Sequence, residues 1–139
     1  MGFDYSHFRQ YQMNFIRMTN RYNNWLKQFM QKQGDKFIRA VKPRTPVDTG
    51  ALRDSWKLDT PAVIQEGRTF SVWFVNEQDY ASFVEYGHAK PYKSGAQPGS
   101  PDWVDGFFMM TVSKDEVERE LPAEFDADFR KFLKELGVL

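Results

Sequence analysis

Apolar residues at helical spacing dominate the first third of the chain. They fall at Phe8, Tyr11, Phe15, Met18, Tyr22, Trp25, Leu26 and Phe29, and then at Phe37, Ile38 and Val41. Steps of three and four wind these positions onto one face of a helix. Arg9, Arg17, Arg21 and Lys27 lie off that stripe, so the aromatics read as core and the bases as a wet face. The spacing predicts one long helix ending before Pro43, with Thr19-Asn20 or Gly34 as places for a break and Asp4 or Ser6 as its cap.

Such a stripe makes disorder untenable: aromatics form 17% of the 139 residues, a length that fits one domain. The chain has no cysteine, which excludes disulfides and thiol chemistry. No apolar run nears the ~18 residues of a membrane span. Net charge is zero but unevenly spread. Residues 1–57 hold 11 bases and 4 acids, hence +7, and residues 58–139 hold 8 bases and 15 acids, hence −7. Copies of such a molecule can meet positive side to negative side. Five Lys or Arg and no acid lie between Asp4 and Asp35, a diffuse basic stretch that could also touch nucleic acid.

The stretch "TPVDTGALRDSW", Thr45 to Trp56, follows the helix. Pro46 cannot continue a helix cheaply and pushes Thr45 toward extended geometry. Asp48 or Thr49 can cap a short helical turn, with Gly50 allowing the tight bend. A strand over residues 55–65 should place Trp56, Leu58, Ala62 and Ile64 on one side, with Pro61 marking an edge or a bend. "EGR" around Gly67 forms a hairpin turn. "TFSVWFVN", residues 69–76, is apolar on both faces, so Phe70, Val72, Trp73 and Phe74 are all expected to be buried.

Residues 79–87, "DYASFVEYG", read as a short helix with Asp79 as cap, Tyr80, Phe83 and Val84 facing inward, and Gly87 as its stop. Residues 88–101 read as a loop with three prolines and a single large aromatic, Tyr92, placed to anchor the loop on a neighbour. "WVDGFFMM" suggests a further strand with a bulge at Gly106. Ser113-x-x-Glu116 has the pattern of a capping box opening a helix to Leu121, and Pro122 then starts a second helix carrying Phe125, Phe129, Phe132 and Leu136.

No constellation for catalysis emerges. A single Asp-Thr-Gly at Asp48 follows a helix rather than the apolar strand an aspartic protease requires. His7 and His88 are the only histidines, and neither has a metal partner at helical spacing. Glu85 with His88 is the one acid–base candidate, but nothing supplies a nucleophile or an oxyanion site. No phosphate-binding glycine loop is present. No cofactor is expected.

Two stretches in order resemble a known family. "TPVDTGALRDSW" resembles the Pro-x-Asp-Thr-Gly-x-Leu-Arg-x-Ser signature of the gene-product-ten-like tail-component proteins of long-tailed phages. "YASFVEYGHAKP" resembles their second signature, Tyr-Ala-x-x-Val-Glu-aromatic-Gly. "GFFMMTVSKDEVERELP" looks like the element that opens their C-terminal helical part, in the version found in PBSX-type prophages. A Pro-x-Pro-Phe run frequent in the family is replaced here by "PGSPDWVDGFF". The resemblance implies a non-enzymatic virion protein, made in the host cytoplasm, that forms a homo-oligomeric ring, a hexamer, at the head–tail junction. Its implied neighbours are head-completion or adaptor proteins and tail-tube or tail-terminator proteins, with DNA in the lumen and no membrane. Pro46, Asp48, Thr49, Gly50, Leu52, Trp56, Tyr80, Glu85 and Gly87 carry the structural motifs, and Arg53 and Tyr92 are candidate partner contacts.

The expected architecture is α+β: a long N-terminal helical arm (residues 1–42), a sheet-containing core (46–110) and C-terminal helices (113–137) packed on a small antiparallel sheet. The alternative is a nucleic-acid-binding module built on the basic helix.

Overall fold

The computed structural model describes residues 6–139, with the side chains of Met13 and of residues 16–139. Asp4 and the side chains of Ser6 and His7 lie outside what is described. The chain forms α1 (Ser6–Arg44), α2 (Ala51–Asp54), β1 (Trp56–Glu66), β2 (Thr69–Asn76), α3 (Ala81–Tyr86), β3 (Gly87–Ala89), β4 (Trp103–Asp105) and α4 (Met109–Glu135). The fold is α+β, with β1–β2 and β3–β4 each a two-stranded antiparallel ribbon.

α1 is a single helix of 39 residues, unbroken at Thr19-Asn20 and at Gly34. It also runs past the expected end, taking Pro43 into its last turn. The stop is one step later, where Thr45 N–H donates to the Lys42 carbonyl and Pro46 turns the chain away. Gly34 is a contact point rather than a kink. A Cβ there would sit 2.8 Å from Val72 Cγ2 and 2.9 Å from Leu58 Cδ2, so its absence lets the β1–β2 ribbon lie against the helix.

α4 runs antiparallel to α1, and their stripes interlock. Trp25 stacks on Phe29 and Phe132 and meets Phe125 and Phe129 edge-on or tilted, at centroid distances of 5.3–5.6 Å. Such ring pairs add ~0.5–1.5 kcal/mol each beyond their buried area. α4 is one helix where two were expected, because Pro122 lies within it. An interior proline costs ~3 kcal/mol. The partners of the flanking turns hold the helix across it: Lys36 pairs with Glu120 and Glu124 on either side, and Gln33 Nε2 donates to Glu124 Oε2 at 2.9 Å.

The second core joins α1, α2, the ribbon and the start of α4 through Phe37, Val41, Leu52, Trp56, Met109 and Val117. Phe37 stacks on Phe74 with centroids 3.6 Å apart. The register of the ribbon corrects the expected strand face. Leu58 pairs with Phe74 but Val63 pairs with Val72, so β1 carries three extra residues in a bulge around Pro61. An odd insertion reverses side-chain parity. Val63 therefore joins Trp56 and Leu58 on the α1 side, and Ile64, opposite Ser71, is turned to the other face. β2 is not covered on both sides either. Phe74 packs on α1, whereas Trp73 remains 54% exposed.

Candidate functional site

The two motif stretches fold against each other. The segment Pro46–Leu52, with Tyr80 before α3 and Val84 within it, encloses a shallow cleft of about 270 Å³. Thr45 and Trp56 hold the first stretch from beneath. Thr45 Oγ1 donates to the Val41 carbonyl at 2.8 Å and accepts from Trp56 Nε1 at 2.9 Å, with both side chains buried. The indole nitrogen thus has the partner that a buried tryptophan needs. Gly50 takes a left-handed conformation (φ 89°), which allows the bend into α2. Thr49 Oγ1 accepts from Ala51 N–H at 3.3 Å, while Asp48 stands exposed. Leu52 is buried, and its carbonyl accepts from Asn76 Nδ2 at 2.8 Å, tying α2 to the end of β2. Arg53 is half-buried beside Asp54, and its hydrogen bond holds the Asp54 carboxyl below the usual carboxylate range.

Glu85 is the unexpected centre of the second stretch. It is 3% exposed and accepts from Met110 N–H (2.8 Å), Thr111 N–H (2.9 Å) and Thr111 Oγ1 (2.7 Å). Met110 and Thr111 open α4, so a carboxylate from α3 caps that helix, where free N–H groups and the helix dipole favour an anion. The backbone reinforces the joint: Phe107 N–H donates to the Val84 carbonyl and Phe108 N–H to the Glu85 carbonyl. Gly87 and Gly106 permit this approach. A Cβ on Gly106 would lie 2.3 Å from the Glu85 carbonyl oxygen, and one on Gly87 2.4 Å from that of Val104.

This geometry corrects several expectations. Ser113 and Glu116 form no capping box. Ser113 lies one turn inside α4, donates to the Met109 carbonyl and accepts from Arg44 Nη1, while Glu116 pairs with Arg44 Nη2. "WVDGFFMM" is strand only over Trp103–Asp105, and Gly106 is a close approach rather than a bulge. Asp79 does not cap α3, which begins after Tyr80 without a side-chain cap. Tyr80 and Phe83 point outward, and of the expected inward trio only Val84 packs against the core. Glu85 and His88 are no acid–base pair, since the carboxylate is engaged with α4 and His88 lies against the Phe83 ring. Tyr92 is fully exposed at φ 63°, in a segment of successive turns closed by the β3–β4 pairing. Among the described residues, no group of three or more His, Asp or Glu is placed to hold a metal ion, and no helix is long and apolar enough to cross a membrane.

The polar groups of the two motifs thus fasten helix ends, strand ends and loops to one another. The motif residues so engaged serve the fold itself. Residues 13–87 match the family described as "Bacteriophage HK97-gp10, putative tail-component", and, with more than half of its length matched, the chain belongs to that family of phage structural proteins. The match takes in most of α1, which carries no recognisable motif, and stops at Gly87, so the start of α4 lies beyond it. No curated protein and no solved structure matches the chain.

Proposed function

We propose that this protein assembles as a ring, most simply a hexamer, at the head–tail junction of a phage or prophage particle, as a neck, joining or tail-completion component. Family membership carries the reading. It gains support from the way the motif residues are used. Thr45, Trp56 and Glu85 are buried in the scaffold, leaving Arg53, Tyr80 and Tyr92 at the surface for neighbouring proteins. The role is structural and not enzymatic. Adaptor and tail-tube or terminator proteins are the expected neighbours, with DNA passing through the lumen. Deleting the gene from an inducible phage or prophage tests this. Loss should leave filled heads and separate tails by electron microscopy, and the protein supplied in trans should restore joined particles. Normal particles without it would reject the reading.

A second reading follows from the basic stretch of α1, where Arg17, Arg21 and Lys27 are exposed. If the isolated chain is a nucleic-acid-binding module, it should bind duplex DNA with an affinity that falls steeply with salt.

A further inference from the structure

Two unlike surfaces occupy opposite ends of the molecule. α4 ends at Glu135, where Leu133 and Leu136 line a cleft with Met18 and Thr19 of α1. α1 extends past this point for roughly 18 Å, from Arg17 back to Ser6, at 1.5 Å per residue. Met13 and Ile16 on this arm are half exposed. Met13 stands nine residues before Tyr22, which at 100° per residue places it on the side opposite the stripe that α4 covers. Ile16 and Arg17 lie one turn from Met13 and share that outer side, and Arg21, one turn from Arg17, lies about 80° round on its flank. None of the ion pairs among the described residues involves Arg17 or Arg21.

The other surface is at the far end of α1, where Arg44 meets Ser113 and Glu116 of α4, about 40 Å from Arg17 along the helix axis. Phe83 and Tyr86 are exposed one turn apart on α3. Phe107, Phe108 and Val112 are exposed next to them at the start of α4, held there by the backbone bonds to Val84 and Glu85. Phe108 has φ 48°, a conformation uncommon for a bulky residue. Asp105 adjoins this cluster through its pairing with Gly87, and Asp115 lies one turn beyond Val112. Both carboxylates are exposed, and neither takes part in the described ion pairs.

We infer that the α1 arm of one copy docks on the aromatic end of the next copy. This rests on the ring reading and assigns its contact surfaces. Met13 and Ile16 meet the rings of Phe83, Tyr86 and Phe107, while Arg17 and Arg21 face Asp105 and Asp115. Guanidinium groups both pair with carboxylates and stack on aromatic faces, so one arm satisfies both features of the patch. The arm belongs to the +7 segment of the sequence and the patch to the −7 segment. Because the surfaces differ and lie at opposite ends, the contact is heterologous. It propagates from copy to copy and closes into a ring when the rotation allows.

The absence of native cysteine makes the test direct. Ile16→Cys and Phe107→Cys are prepared as separate full-length proteins, mixed at low salt and oxidised, and wild-type mass is followed by sedimentation. The mixture should give a covalent dimer that neither variant forms alone, and the double variant should give a ladder. Arg17→Glu with Arg21→Glu should weaken wild-type self-association at least tenfold, and adding Asp105→Lys with Asp115→Lys should restore it. If the wild type oligomerises but the mixture does not cross-link, the arm contact is wrong and the ring reading stands. Self-cross-linking of Ile16→Cys alone would mean a symmetric contact and overturn the inference. So would loss of DNA binding, with self-association intact, in the Arg17→Glu, Arg21→Glu variant. A wild type that stays monomeric at every concentration would overturn both readings.

Discussion

Glu85 and Met110 are joined across 25 residues by a 2.8 Å hydrogen bond from the Met110 backbone N–H to the Glu85 carboxylate, which makes α3 the cap of α4. No residue near the start of α4 does this work: its N-cap position is Phe108, which has no side chain able to accept a hydrogen bond. The second motif therefore acts by orienting the C-terminal helix. Glu85→Ala should lower stability by about 2–3 kcal/mol, because a charge-assisted cap is lost and partly buried N–H groups are left unsatisfied. Glu85→Gln should lose about half of that, since the amide oxygen still accepts but carries no charge. Urea titration of the two variants checks the order, and equal stability of Glu85→Ala and wild type would refute the cap.

Gly87 and Gly106 are the points where α3 and the approach to α4 touch. Alanine at either meets backbone atoms under 2.9 Å away, which cannot swing aside as a side chain can. Gly87→Ala also places a side chain at φ 84°. Each substitution should destabilise by more than about 3 kcal/mol or prevent folding. Gly95 and Gly99 have similar positive φ but open space around them, so alanine there should cost only ~1 kcal/mol. Thermal melts of the four variants separate steric contact from backbone conformation.

Gly34 gives a case where two effects oppose. Alanine in mid-helix gains ~1 kcal/mol of helix propensity. Its Cβ, however, would press on Val72 and Leu58 at 2.8–2.9 Å, and overpacking costs ~1–3 kcal/mol. Gly34→Ala should therefore be net destabilising. In the Val72→Ala background the same change should cost less, because one of the two obstacles has gone and Leu58 alone remains. A double-mutant cycle by chemical denaturation reads this coupling, and simple additivity would contradict it.

The parts legible in the sequence were those set by neighbours along the chain. The stripe of α1, the turn from Pro46 to Gly50 and the Gly67 hairpin follow from local spacing and local backbone needs. The parts that were not legible depend on residues far apart. Ser113 and Glu116 have the spacing of a local cap, yet Arg44 engages both from α1. Pro122 looked like a helix start, yet Lys36 binds carboxylates on both sides of it. Glu85 gave no signal of its cap role, because its partners are backbone N–H groups that any sequence would present. Alternation places Trp56 and Leu58 on the correct face of β1 but Ile64 on the wrong one, because it assumes no insertion and the bulge around Pro61 inserts three residues.

The cluster of Lys36 with Glu120 and Glu124 sets a pH dependence. Hydrogen bonds to Glu120 and then Glu124 raise the Lys36 pKa above its ordinary 10.5, and the bond from Lys36, with that from Gln33, lowers Glu124 below its ordinary 4.5. A depressed carboxyl contributes stability above its unfolded pKa and loses it as pH falls through the folded value. A raised amine contributes below 10.5 and loses it as pH rises through its folded value. Stability from this cluster should be flat between these limits and fall at both ends. Lys36→Met should abolish the alkaline limb and shrink the acid limb, of which the Gln33 bond keeps a part, while lowering the neutral plateau by less than ~1 kcal/mol, since Glu124 is partly exposed and screened. Urea midpoints measured from about pH 3 to about pH 11 would show it.

Trp73 and Phe74 are adjacent on β2 and point to opposite faces, so they test which face is core. Phe74 stacks on Phe37 at 3.6 Å and faces α1, whereas Trp73 is more than half exposed. Phe74→Asp buries an unpaired carboxylate against α1 and should cost at least ~3 kcal/mol, enough to unfold a domain of marginal stability. Trp73→Asp leaves its carboxylate in water and loses only part of the indole's contact area, so it should cost no more than ~1–1.5 kcal/mol. Both are measured in the isolated chain by thermal melting. The expected result is a folded Trp73→Asp protein with a small drop in melting temperature beside a Phe74→Asp protein that is largely unfolded. If Trp73→Asp unfolds as readily as Phe74→Asp, the outer face of the ribbon is covered in solution, and the exposed indole described above is wrong.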